Sequence, residues 1–186
     1  MKIDDNLHWI LSFYRTSEIS GALFFGELAR SLRPSSIQQD MTRHFADEAN
    51  HARYWTDCLE QLGVEPLKLP TAYQNQYLAA AGMPTNLMEI LAITQVFEKR
   101  VVGQYALHTR SPGVPDVVHR TIETIMEDEK WHIEWIRNAL QEMHDEYGAD
   151  NIRDTLHRFT LADREVYRNA ALEHKERLGD LRLAVK

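Results

Sequence analysis

Two short strings in the sequence could do chemistry together: Asp47-Glu48-Ala49-Asn50-His51 and Asp128-Glu129-Lys130-Trp131-His132, both of the form D-E-x-x-H. On a helix, a Glu and a His three residues apart project from one face, so a single metal ion can meet a carboxylate oxygen and an imidazole nitrogen together. The bare E-x-x-H spacing that metal sites use is weak on its own, with ~0.8 matches expected by chance among 16 Glu and nine His. Requiring the preceding Asp lowers that expectation to roughly 0.05. Two further acids, Glu18 and Glu98, complete the set once the elements that carry them are considered.

Apolar residues recur at spacings of three and four almost throughout, as in Leu7, Ile10, Leu11 and Tyr14, which is the helical period. Breakers at Pro34-Ser35-Ser36, Gly63 to Pro70, Gly82-Met83-Pro84, Ser111 to Pro115 and Gly148 to Asn151 divide the chain. The pattern predicts five long helices near 4–32, 36–62, 86–109, 115–147 and 151–178, with Thr85 or Asn86 and Asp150 as N-caps. Short links join the first helix to the second and the third to the fourth, so each pair is expected to form an antiparallel hairpin. The connection over 63–85, with a short helix over Tyr73–Ala81, is long enough to cross the length of a bundle. The expected architecture is therefore all-α: an antiparallel four-helix bundle over 1–147 with a long second-to-third crossover. A long C-terminal helix in 148–186 follows in the same domain and packs on the bundle or in an oligomer contact.

Facing residues in an antiparallel hairpin lie equally far from its turn, so their midpoint falls in the loop. Glu18 with Glu48 and His51 gives a midpoint near 34, and Glu98 with Glu129 and His132 one near 114, both inside breakers. Glu27 and Glu89 give displaced midpoints near 38 and 110. Glu98 follows Glu18 by 80 residues, while Glu129 and His132 follow Glu48 and His51 by 81. The chain thus reads as two similar hairpins, each with one lone Glu and one E-x-x-H. A single Glu or His at any of these places is ordinarily a solvated helix residue; six at matched heights reverse that reading. Four ionised carboxylates brought together in a dry core repel one another strongly, and two divalent cations would offset them. Oxygen-rich donors with two imidazoles and no thiolate suit iron or manganese better than a closed structural zinc site.

On these residues the sequence resembles the ferritin-like di-iron carboxylate superfamily, which includes rubrerythrins and bacterioferritins, over about residues 10–145. Asp128 to Trp135 resembles the fourth-helix motif of bacterioferritins, and Glu18 with Ala22, Phe25 and Ala29 the first helix of rubrerythrins. The resemblance implies a ferritin-like bundle and a pair of iron ions, with manganese or a mixed manganese–iron pair as the other occupants. It implies bridging carboxylates at Glu48 and Glu129, terminal ligands at Glu18, His51, Glu98 and His132, and outer groups Asp47 and Asp128 orienting the imidazoles through hydrogen bonds. Typical rubrerythrin peroxidases carry an extra Glu three residues after the third-helix ligand; Val101 stands there, and the rubredoxin-like Cys pairs are missing. The C-terminal helix could run about 28 residues, or ~42 Å, longer than the short fifth helix of ferritin cages.

Several neighbours have blander readings. Tyr105, seven after Glu98, and Tyr14, four before Glu18, could face the metals as hydrogen-bond donors or redox-active groups, though such aromatics are more often core. His44 shares the face of Glu48 and His51 and is read as an outer group, Trp131 and Trp135 as core packing, and Cys58 as a small buried hydrophobe.

Composition bounds the partners. A charge of −7 without a basic run disfavours nucleic acid, and a lone Cys excludes a disulfide framework or a thiolate-ligated metal. No segment approaches ~18 apolar residues and the start is acidic, so a cytoplasmic, non-membrane protein is expected. The leading functional expectation is an oxidase or oxygenase that activates dioxygen at a dimetal centre to oxidise a small molecule, with an external electron donor and a homodimeric assembly. Two other readings stand beside it: a ferroxidase or peroxide scavenger, and a non-enzymatic helical interaction module with a structural metal.

Overall fold

A computed structural model of the chain describes residues 3–69, 77 and 79–173, with side chains as far as residue 168. Among the described residues every long regular element is a helix and no strand occurs. Helix α1 spans Asp5–Ser31, α2 Ser36–Gln61, α3 Leu87–His108, α4 Asp116–Glu142, α5 His144–Tyr147 and α6 Ala149–Glu173.

Local chemistry sets these limits. The Asp4 carboxylate accepts from Leu7 N at 2.8 Å, and the Ser35 hydroxyl accepts from Gln38 N at 3.2 Å, so each satisfies one of the orphan amides that open a helix. At α3 it is Asn86 that caps, accepting from Glu89 N at 2.9 Å, while Glu89 reaches back to Thr85 N and Oγ1 at 2.8 Å. That reciprocal arrangement is a variant of the capping box. Gly63 and Gly148 adopt φ of 74° and 82°, left-handed values that end α2 and α5 without a Cβ penalty.

Two sequence expectations are corrected. The helix expected over 115–147 is interrupted at Met143, whose ψ of 0° starts a new turn through an i→i+3 bond from Glu146 N, leaving the short α5. Asp150 is no N-cap: Gly148 makes the break, so α6 opens at Ala149 and Asp150 sits in its first turn, 2.8 Å from Arg153. Of the helix expected over Tyr73–Ala81, Tyr77 and 79–81 are helical and the remainder lies outside the described residues, as does 174–178 of the last predicted helix.

Contacts divide the chain into two compact units, Met1–Gln74 with Gly113–Ile125, and Asn75–Pro112 with Met126–Lys186. In the first, α1 and α2 run antiparallel. Phe25 stacks on His44 with ring centroids 3.9 Å apart, Tyr14 packs on Trp55 at 5.2 Å, and Gly21 faces Glu48. Each of these pairs is centred between residues 34 and 35, the turn that the helix breakers mark. Leu11, Met41, Trp55, Cys58 and Leu59 are fully buried there, and burial of side chains of this size contributes ~1.5–3 kcal/mol each. In the second unit α3 packs on α6. Tyr77 meets the Phe97 ring edge-on at 4.5 Å and donates its hydroxyl to Phe159 O, which pushes no charge into the core, since burial holds the phenol far above its ordinary pKa. No helix among the described residues is long and apolar enough to cross a membrane.

Candidate metal centre

The first unit gathers Glu18 from α1 with Glu48 and His51 from α2. His51 Nδ1 lies 3.9 Å from Glu18 Oε2 and 3.8 Å from Glu48 Oε1, and one ligand atom from each residue falls within 4.8 Å of the others. The second unit gathers Glu98 from α3 with Glu129 and His132 from α4. Here His132 Nδ1 lies 3.9 Å from Glu98 Oε2 and 3.6 Å from Glu129 Oε2. The helical period explains both sets: three residues carry the chain once round, so Glu48 and His51, like Glu129 and His132, emerge side by side.

Burial sharpens the chemistry. The four carboxylates are at most 6 % exposed and both imidazoles are 0 % exposed. A carboxylate pair around one imidazole carries net negative charge when ionised, and at low dielectric that charge is costly without a counter-charge. A divalent cation among two carboxylate oxygens and one neutral imidazole nitrogen supplies it. The donors present are oxygen and nitrogen without sulfur, the set that suits iron or manganese.

Residues around the first triad shape Glu48. His44, one turn earlier on α2, is fully buried with Nε2 3.5 Å from Glu48 Oε1, and its ring is held flat against Phe25. A Cβ built on Gly21 would collide with Glu48 Oε2, so the missing side chain makes room for the carboxylate. Sequence reasoning missed Gly21. The signal was there: an interior Gly three residues after Glu18, in a helix that would be more stable with Ala.

The remaining sequence candidates fall as follows. Asp47 is half-buried and lies 3.9 Å from Arg43 Nε, and Asp128 is half-buried beside Glu129 on α4. Tyr105 is buried on α3 two turns after Glu98, and Tyr14 is buried against Trp55. Trp131 packs on Trp135 at 6.1 Å and edge-on to the His132 ring at 5.5 Å. Cys58 is fully buried, and desolvation pushes its thiol up against an opposing hydrogen bond with Thr121, which leaves it protonated and unreactive.

An all-helical chain that buries paired Glu and His donors on its long helices is a ferritin-like helical-bundle protein. It belongs to the rubrerythrin family, whose model matches residues 10–140. No curated protein and no solved structure matches the chain significantly.

Proposed function

We propose that the chain is a non-haem dimetal oxidoreductase, with two iron ions held by Glu18, Glu48, His51, Glu98, Glu129 and His132. The observation that carries this reading is the occurrence of two buried Glu/Glu/His triads of the same order and nearly the same spacing. When bound, the metal pair supplies electrons to dioxygen or peroxide, and a small organic molecule is the compound oxidised.

The protein's own residues set the conditions for that chemistry. His51 and His132 bring Nδ1 beside the carboxylates, where each imidazole would share a metal ion with them, and Asp47 and Asp128 are assigned the orienting role next to them. Gly21 and His44 fix where the Glu48 carboxylate lies. Full burial of both imidazoles keeps bulk water away from the donors. The lone Cys58 offers no thiolate relay, so electrons come from an external donor or from the substrate.

The family match favours a second reading, peroxide scavenging; Val101, where typical rubrerythrin peroxidases carry an extra Glu, counts against it. Rapid mixing of the anaerobically iron-loaded protein with dioxygen or with hydrogen peroxide separates the readings. The oxidase reading expects dioxygen to oxidise the retained iron in a single turnover. Faster repeated turnover with peroxide, or continued oxidation of added Fe(II) with mineral growth, would replace it with scavenging or ferroxidase function. No reaction with either oxidant, alongside a metal-dependent melting temperature, would leave only a structural metal.

A further inference from the structure

We propose that His44 is itself a metal ligand, its Nε2 sharing an ion with the Glu48 carboxylate. This rests on the metal reading proposed above and adds a seventh donor to it, at a place where the second hairpin has none.

Distance separates the two roles an imidazole can play beside a carboxylate. An N–H···O hydrogen bond ordinarily spans ~2.7–3.2 Å. Two donors on one ion each lie ~2.0–2.2 Å from it, so at bond angles of about 90–120° they stand roughly 3.0–3.6 Å from each other. His44 Nε2 lies 3.5 Å from Glu48 Oε1, within the second range and beyond the first. It also comes nearer to that oxygen than His51 does, whose Nδ1 is 3.8 Å away. His44, Glu48 and His51 follow one another on α2 at steps of four and three, so all three share one helix face with Glu48 in the middle.

Packing does not call for an imidazole here. The intervals that relate the two hairpins take Phe25 to Tyr105 and His44 to Ile125, and both of these are buried. An aliphatic side chain thus fills the corresponding place at no polar cost. His44 is 0 % exposed, and a buried polar ring is costly unless its nitrogens are engaged. Its ring lies against Phe25, with centroids 3.9 Å apart and planes 25° from parallel, which holds it with Nε2 towards Glu48.

As a ligand, His44 adds nitrogen without adding charge. Glu18 and Glu48 already balance one divalent cation, and a neutral imidazole leaves that balance intact. Imidazole suits iron, whereas carboxylate and water suit manganese, so a further imidazole shifts the preference of this position towards iron.

The test loads the full chain with cobalt(II) after its histidine ring nitrogens are isotopically labelled, and counts the hyperfine-shifted imidazole N–H signals by proton NMR. A ring bound through one nitrogen keeps its proton on the other, so each ligating histidine gives one such signal. Three are expected, from His44, His51 and His132, and two in His44→Gln. Gln can still donate a hydrogen bond to Glu48 but offers the metal no ring nitrogen. Cobalt affinity is therefore expected to fall about tenfold in His44→Gln, as in His44→Leu, and the ratio of Fe(II) to Mn(II) affinity should fall with it. Bound cobalt with only two shifted signals in the wild type would overturn this proposal alone. Wild-type cobalt affinity or an unchanged metal ratio in His44→Gln would do the same, since either marks an outer hydrogen-bond donor. A chain that takes up no cobalt would overturn the metal reading and this proposal together. The wild-type count needs no variant, so it decides the matter even if His44→Gln fails to fold.

Discussion

The triad on α1 and α2 and the triad on α3 and α4 contain the same three donors in the same order, but their settings differ at two register positions. Stepping from the first hairpin to the second by the intervals that relate the donors takes Gly21 to Val101 and His44 to Ile125. Glu48 thus has an imidazole 3.5 Å away and an open backbone opposite, whereas the helix positions equivalent to these carry β-branched hydrocarbon in the second hairpin. Glu129 is sealed at 0 % exposure; Glu48 retains 6 %. A repeated donor set has therefore been given two environments. Glu48 has a second imidazole beside it, and the equivalent position in the other hairpin is the hydrocarbon of Ile125, so the two metal positions are expected to be inequivalent in affinity and in response to mutation.

The largest effect tests what the triads share. If Glu48 and Glu129 bridge, as the superfamily resemblance implies, Glu48→Ala and Glu129→Ala should each remove both ions, seen as loss of bound iron in elemental analysis. Loss of only one ion would make the two triads independent sites. Next comes Gly21→Ala, whose Cβ must push Glu48 aside. Iron affinity should fall ~10–100-fold, the range seen when groups that position a ligand are disturbed, while helix propensity improves by up to ~1 kcal/mol. Val101→Ala, at the equivalent place, should change affinity by less than about twofold, and an equal loss would erase the asymmetry. His44→Leu should weaken iron binding about tenfold, at the lower end of that range. It should also alter the spectrum of one metal position only, as Mössbauer spectroscopy can resolve.

The smallest effect concerns how each unit is held together internally. Packing joins α1 to α2, whereas α6 is anchored to α3 through ion pairs from Glu89 to Arg158 at 2.6 Å and from Arg100 to Asp163. Hydrogen bonds from Thr85, and then Arg158, hold the Glu89 carboxyl below its ordinary value of 4.5. Because the folded value is the lower one, this contribution is present above about pH 4.5 and is lost as pH falls through the lowered value. Its size is under ~1 kcal/mol, since Arg158 is half exposed. Hydrogen exchange should show α6 loosening before α1 and α2 as pH drops below that range, and Glu89→Gln should remove the difference.

Much of this was legible in the sequence, for identifiable reasons. Helix positions and the antiparallel α1/α2 turn follow from breakers and from the 3.6-residue period, which act locally. The pairing of Glu48 with His51 and of Glu129 with His132 is likewise a property of one helix. Glu18 and Glu98 needed the hairpin midpoint, which works because rigid helices on a short turn leave little freedom of register. What escaped depended on shape. The fit of the Glu48 carboxylate over Gly21 is a clash avoided, which leaves no motif. The break at Met143 was invisible because Gly148, a few residues later, carries the stronger helix-ending signal.

The most direct test of the central claim is anaerobic Fe(II) titration of the wild type beside His51→Ala and His132→Ala, with bound iron counted per chain after desalting. Two buried triads acting as metal positions predict two ions for the wild type and one for each variant, with the two variants retaining spectroscopically different ions. Fewer than two ions in the wild type, or variants that bind as the wild type does, would contradict the account.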